Sequence, residues 1–249
     1  MKAVILAGGF GTRLSEYTES IPKPMVTIGG KPMLLHIMDH YAKFGITDFV
    51  IAAGYKSEEV KRFFLNFAQT SADFQIDTHT GEIRRFNNDI ARRWNVTVVD
   101  TGLESMTGGR LLRLSSILQD QTFLLTYGDG LSDVDINATI AEHRRNGAML
   151  TVTAVRPSAR FGELEIESGK VTAFKEKPRL AQGWINGGFF VAEPSIFQHI
   201  KDDSSVLEKE PLETIASMGQ LYAHQHEGFW QCMDTKRDRD FLENLWAKK

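Results

Sequence analysis

The apolar run Ala3-Val4-Ile5-Leu6-Ala7 leads directly into Gly8-Gly9-Phe10-Gly11-Thr12-Arg13, and no other stretch limits the possible folds as much. An unbroken apolar run of this length, closed by glycines, is the pattern of a strand buried on both faces. Bare glycines after such a strand let backbone N–H groups approach phosphate oxygens closely, and Arg13 adds a planar fork suited to phosphate. By itself the turn also fits a plain glycine bend with a surface arginine. Two familiar glycine motifs fail on spacing. A dinucleotide fingerprint started at Gly9 meets Gly11 but finds Leu14 in the sixth place. A P-loop needs Gly-Lys followed by Ser or Thr, and the chain has only Gly30-Lys31-Pro32 and Gly169-Lys170-Val171.

Strand and helix patterns alternate after this turn. A polar loop (Ser15 to Pro24) is followed by a helical stripe of Leu34, Ile37, Met38 and Tyr41, stopped by Gly45. Phe49 to Ala53 reads as a second buried strand, and Ser57 as the N-cap of a helix reaching about Phe67, with Glu58 and Glu59 in its first turn. Val96 to Val99, Thr122 to Thr126 and Met149 to Val155 give further strands, and Asp135 to Asn146 a helix closed by Gly147. The expectation is an α/β fold: a doubly wound, mostly parallel, Rossmann-like sheet with helices on both faces. A small β-rich portion should follow, with a hairpin turning at Ser168-Gly169, an apolar run Phe189-Phe190-Val191 and a helix from about Arg237 to Trp246. We expect one domain over 1–249, with a nucleotide-binding half (1–150) and a sugar-binding and C-terminal half (151–249). The polar segment from Ala68 to Trp94 has no clear period and reads as either a solvated loop or an excursion packing on another subunit.

Composition excludes several classes. A net charge of -3 argues against nucleic acid as a partner. Cys232 is the single cysteine, so neither an intrachain disulfide nor a thiolate metal cluster can form. The first apolar run is too short for a leader or a membrane span, which points to the cytoplasm and away from membranes.

Several residues stand where chemistry would be expected in such a fold, beyond the carboxyl ends of the strands. Lys23 lies between Pro22 and Pro24 on a stiff backbone, close in sequence to Arg13, so two cations can converge on one polyphosphate. Asp129, in Tyr127-Gly128-Asp129-Gly130, is poorly explained by packing; Asp234 follows Gly228-Phe229-Trp230. Two carboxylates with phosphate oxygens and water suit Mg²⁺, although sequence spacing cannot pair them. Asp129 alone also reads as a turn residue, and Asp234 alone is a weaker signal still. Glu176 and Lys177, with Asn186 and Gly187, could meet a sugar phosphate, or belong to a charged hairpin edge. His224 and His226 share a strand face but lack an evident third ligand, and Cys232 reads as a small buried hydrophobe.

Leu6-Ala7-Gly8-Gly9-Phe10-Gly11-Thr12-Arg13-Leu14 followed by Pro22-Lys23-Pro24 resembles the signature of the sugar-nucleotide pyrophosphorylases. Gly128-Asp129, Glu176-Lys177-Pro178 and Asn186-Gly187-Gly188 stand where that family has its other motifs. Within the family, Thr107-Gly108-Gly109-Arg110, Ile185 to Phe190 and Gly228 to Thr235 resemble members that join CTP to glucose 1-phosphate for CDP-linked deoxysugars and O-antigen polysaccharide. The resemblance implies that Arg13 and Lys23 hold the triphosphate and are catalytic, and that Asp129 and Asp234 hold Mg²⁺. It implies nucleotide contacts from Leu6, Ala7, Gly8, Gly9, Phe10, Gly11 and Thr12, from Gly128, and from Thr101, Glu104, Ser105, Gly109 and Arg110 around the cytosine. It assigns Lys177 and Tyr127 to the sugar phosphate, with Glu176, Asn186 and Gly187 near the glucose hydroxyls, and implies a homo-oligomer. Rival readings are the same chemistry with UTP or dTTP, another phosphorylated acceptor, or a non-catalytic regulatory subunit that binds sugar nucleotides.

Overall fold

The computed structural model of the chain describes residues 1–70, 72–86, 93–157, 163–167, 170–175 and 183–247. Its main sheet contains β1 (Lys2–Ala7), β2 (Asp48–Ala53), β3 (Asn95–Asp100), β4 (Phe123–Tyr127), β5 (Leu150–Val155), β6 (Ile185–Asn186), β7 (Phe190–Ala192) and β8 (Leu221–His226). The order is β6-β5-β7-β4-β1-β2-β3, with β8 also pairing β5. Pairings β4-β1, β1-β2, β2-β3 and β5-β8 are parallel, whereas β7 lies antiparallel between β4 and β5. The sheet is therefore largely parallel, as its apolar strands predict.

Helices cover both faces. They include α1 (Met33–Ala42), α2 (Ser57–Thr70), α3 (Thr107–Leu112), α4 (Ile136–Asn146) and α5 (Lys236–Trp246). Successive side chains of a strand point to opposite faces, and β1 shows the result. Ala3, Ile5 and Ala7 join one apolar cluster with Met33, Ile37, Tyr41 and Leu242, while Val4 and Leu6 join another with Leu111, Leu118 and Ile215. No polar face is left on β1, so a strand of this composition is stable only inside such a sandwich.

The helix ends follow their side chains. Asp135 caps α4 by accepting from the Ala138 amide at 2.9 Å, and Gly147 closes it in the left-handed region at φ 57°. Thr235 and Asp238 form a reciprocal capping box at the start of α5. Ser57 departs from its expected role: it lies inside α2, and its hydroxyl donates to Asp100 Oδ2 at 2.7 Å. The Ser15 to Pro24 loop is more ordered than its composition suggests, folding into short helical turns at Ser15–Thr18 and Lys23–Met25. In place of a plain solvated loop, the described part of the 68–94 segment carries regular elements. Helix α2 continues to Thr70, and Asp73–Ile76 then pairs antiparallel with Ile83–Phe86 in an exposed hairpin.

The apolar run at 189–191 also begins differently. Phe189 is buried with φ 51°, after Gly188 at φ 75°, so the chain kinks before β7 starts at Phe190. A non-glycine residue in this region costs roughly 1–2 kcal/mol, offset here by packing of the Phe189 ring against His40 and Tyr41. The hairpin expected around Ser168-Gly169 is seen as Glu163–Glu167 paired with Lys170–Lys175.

Candidate active site

A cleft of about 510 Å³ opens beyond the carboxyl ends of β1 and β4. One wall is the turn Gly8 to Arg13 with Lys23 and Pro24; the other is Leu103 to Thr107 with Arg110; Leu6, Ala7, Tyr127, Gly128, Asp129 and Asp234 complete it. In open α/β sheets, ligands bind at this position.

The glycine turn is shaped by what lies behind it. A Cβ on Gly8 would sit 2.2 Å from Arg110 Nη1, so a larger residue there would have to displace the Arg110 guanidinium. Gly11 turns the chain at φ 65°, and the Leu14 amide and Thr18 hydroxyl both donate to its carbonyl. Gly9 faces open space.

Arg110 is buried and organises the opposite wall. Its guanidinium donates to Thr101 Oγ1 at 3.0 Å, to the Gly102 carbonyl at 2.6 Å and to the Leu103 carbonyl at 3.1 Å. Thr101 is itself buried, donating to the Ala53 carbonyl, and accepts at its own carbonyl from the Ser105 hydroxyl. Thr101 and Gly109 therefore stand behind the cleft wall. A Cβ on Gly109 would lie 2.2 Å from the Asp203 carbonyl oxygen, which explains the glycine by packing. Glu104, Ser105 and Arg110 do line the cleft.

The two aspartates meet although 105 residues (234 minus 129) separate them. Gly130–Ser132 pairs antiparallel with Trp230–Cys232, and the Met233 amide donates to the Asp129 carbonyl at 2.8 Å. Gly128 makes this approach possible: its amide donates to the Leu6 carbonyl, and a Cβ there would lie 2.8 Å from Pro24. Lys23 then reaches both carboxylates, at 2.6 Å from Asp129 Oδ2 and 2.7 Å from Asp234 Oδ1. Arg13 Nη1 lies 2.9 Å from Asp234 Oδ2. Burial acts to lower the Lys23 pKa, but the Asp129 and Asp234 contacts outweigh it and hold the ammonium above its ordinary value. Lys23 thus remains a cation throughout the neutral range.

Two carboxylates that already share one small cation fit Mg²⁺, provided that phosphate and water supply the remaining donors. Among the described residues no group of three or more His, Cys, Asp or Glu could hold a metal by itself. His224 and His226 pair instead with Glu142 (2.7 Å) and Asp133 (2.9 Å). Burial, then the Asp234 charge, pushes the Cys232 thiol up to about 11, which leaves it unreactive near neutral pH.

Asn186 and Gly187 do not line the cleft but lie behind Tyr127: Asn186 Nδ2 donates to the Tyr127 hydroxyl at 3.1 Å, and Trp230 Nε1 donates to the Gly187 carbonyl at 2.8 Å. The Tyr127 hydroxyl donates in turn to Glu208 at 2.6 Å, as does the Thr107 hydroxyl. Burial, and then the Glu208 charge, raise the Tyr127 pKa, so it stays a donor. Glu208 was not identifiable in sequence: Leu207-Glu208-Lys209-Glu210 reads as a solvated surface, and only the fold brings it to Tyr127 and Thr107. Glu176 and Lys177 lie outside the described residues.

Comparison with known proteins agrees with this geometry. The nucleotidyl transferase family model matches residues 2–238. The glucose-1-phosphate cytidylyltransferases of Salmonella typhi and Salmonella typhimurium are each 51% identical over 250 residues, covering 100% of this chain and 96% of theirs. Among solved structures, a UDP-glucose pyrophosphorylase in complex with UDP-glucose superposes with a TM-score of 0.70 at 17% identity, over 99% of this chain and 98% of that one. At that identity the match speaks to the fold alone. A full-length match to both family model and relatives, on a sheet whose strand ends carry the glycine turn, the lysine and the paired aspartates, makes the chain a member of the nucleotidyl transferase family, among the sugar-nucleotide pyrophosphorylases.

Proposed function

We propose that the chain transfers a cytidylyl group from CTP to glucose 1-phosphate, forming CDP-glucose and releasing pyrophosphate. The convergence of Lys23 and Arg13 on Asp129 and Asp234 beside the Gly8–Gly11 turn carries the reading. That constellation is what nucleotidyl transfer between two anions requires, and the Salmonella enzymes named above supply the choice of CTP and glucose.

In the proposed reaction a phosphate oxygen of glucose 1-phosphate attacks the α-phosphorus of CTP in line. A new P–O bond forms as the bond from the α-phosphorus to the bridging oxygen breaks, and pyrophosphate departs with that electron pair. The attacking oxygen is already ionised, so no general base is needed. Catalysis then consists of positioning and of charge neutralisation. The turn from Gly8 to Thr12 would cradle the triphosphate while Arg13 and Lys23 neutralise it, and Gly128 would touch the nucleotide. Glu104, Ser105 and Arg110 form the wall that would face the cytosine. Asp129 and Asp234 would hold Mg²⁺, which when bound lowers the repulsion between the two anionic substrates. Tyr127, Asn186, Gly187, Glu176 and Lys177 would serve the sugar phosphate. The exposed 73–86 hairpin is a candidate contact in a homo-oligomer, and the cytoplasm, where CTP is made, is the proposed site of action.

Among the described residues no helix is long and apolar enough to cross a membrane. The test is pyrophosphate release across four nucleoside triphosphates and a panel of sugar 1-phosphates, with and without Mg²⁺. Release with CTP and glucose 1-phosphate, dependent on Mg²⁺, is the expected result. Preference for UTP or dTTP would reassign the nucleotide, and no release with any pair would turn the reading toward a binding subunit.

A further inference from the structure

The two cations assigned to the triphosphate rest on the two carboxylates assigned to the metal. Lys23 Nζ touches Asp129 at 2.6 Å and Asp234 at 2.7 Å, and Arg13 adds a third contact at 2.9 Å. The Lys23 side chain is 13% exposed, against 18% for Asp234 and 30% for Asp129, so solvent screens the two lysine contacts only in part. The ammonium occupies the point between the carboxylates where a small bridging cation would sit. A divalent ion and an ammonium cannot share that point, because like charges at contact repel strongly in a partly desolvated site.

The site is also built to let the cations leave. The backbone at Lys23 is held, since the Met25 amide donates to the Pro22 carbonyl at 2.8 Å and Pro24 packs against Gly128. Movement is then confined to the flexible lysine stem. The Arg13 side chain is 72% exposed and is free to swing. The glycine turn, where a triphosphate would sit, borders the same cleft, so incoming phosphates compete with the carboxylates for the same two cations.

We infer that Lys23 is a built-in occupant of the metal site, and that a divalent cation binds tightly there only after a triphosphate has drawn Lys23 and Arg13 off the carboxylates. This rests on the reading that Asp129 and Asp234 hold the metal. It makes metal and nucleotide binding reciprocally coupled, each raising the affinity of the other by the same factor. An enzyme so arranged does not hold its metal between turnovers, and loads it together with its first substrate.

The experiment is a Mn²⁺ titration of the full chain without nucleotide, with free Mn²⁺ followed by electron paramagnetic resonance. Lys23→Met should bind Mn²⁺ roughly 10- to 100-fold more tightly than wild type, the span of ordinary coupling between sites. Lys23→Gln, which keeps length and polarity without charge, should gain similarly and serves if the methionine variant misfolds. Lys23→Arg, which keeps the cation, should gain little, and adding Asp129→Asn to Lys23→Met should remove the gain. Equal Mn²⁺ affinity in wild type, Lys23→Met and Lys23→Gln would overturn the inference. A separate titration in the presence of CTP tests the metal reading itself: Mn²⁺ binding there that is lost in Asp129→Asn sustains it, whereas binding indifferent to Asp129 removes both.

Discussion

The backbone amide of Met233 donates to the carbonyl of Asp129 at 2.8 Å, and through this bond the strand leading to Asp234 is fixed beside the turn that carries Asp129. The carboxylates are thus placed by main-chain pairing rather than by their own charges, which would drive them apart. Lys23 then lowers the repulsion that remains.

Lys23→Ala and Arg13→Ala should each lower turnover by ~10²–10³-fold, as the loss of a positioned charge stabiliser does. Circular dichroism should remain that of the wild type, because neither side chain belongs to the apolar clusters. Steady-state pyrophosphate release measures the effect, and near-normal turnover in Lys23→Ala would remove its catalytic role.

Asp129→Asn should abolish activity or its dependence on Mg²⁺. An assay across Mg²⁺ concentrations checks this, and an unchanged Mg²⁺ profile at unchanged rate would take Asp129 out of the metal site.

Gly128→Ala tests the close approach of Pro24 and Leu6. The new Cβ would lie 2.8 Å from Pro24 Cγ and 2.9 Å from the Leu6 carbonyl oxygen, both too short. A stability loss of about 1–3 kcal/mol is expected, as for other overpacked sites. Activity should fall as well, since Asp129 is the next residue. Chemical denaturation and turnover give the two values.

Arg110→Ala should weaken nucleotide binding through the loop that it holds. Without the guanidinium the buried Thr101 hydroxyl and the part-buried carbonyls of Gly102 and Leu103 lose their donor, at a cost of about 1.5–3 kcal/mol for hydrogen bonds made by a charged group. The expected signature is a raised KM for the nucleotide with a lower melting temperature. A variant with wild-type KM and stability would contradict it.

His40 makes stability depend on pH. Burial, with the Lys43 charge as a lesser cause, lowers its pKa below 6.5, while its Nε2 lies 2.9 Å from the Val134 carbonyl. The unfolded chain takes up a proton near pH 6.5 and the folded chain only at lower pH, so stability is lost as pH falls from 6.5 towards the folded value. Melting temperatures at pH 7.5 and 5.5 should differ less in His40→Gln than in wild type.

The strand at 3–7, the helix stops at Gly45 and Gly147, and the start of a helix near Asp135 are legible because each depends on a few neighbouring residues. Local chemistry likewise singles out Gly8–Arg13 and Lys23, which the fold brings to one cleft. Ser57 was misread because its distant partner, Asp100, competes for the hydroxyl that a helix end would otherwise use. The kink at Phe189 is not legible in the sequence, because an apolar run at 189–191 carries no mark of the left-handed backbone that the fold imposes at its first residue.

Sequence alone therefore determined the buried parallel strands, the glycine turn and the residue types able to meet a triphosphate, since burial pattern and backbone freedom are written locally. Tertiary structure alone decided that Asp129 and Asp234 share one lysine, that Thr101 and Gly109 stand behind the cleft wall, and that Glu208 joins Tyr127 to Thr107. Contacts between residues 81 or more positions apart depend on strand order and on close backbone approach, neither of which is encoded by spacing along the chain.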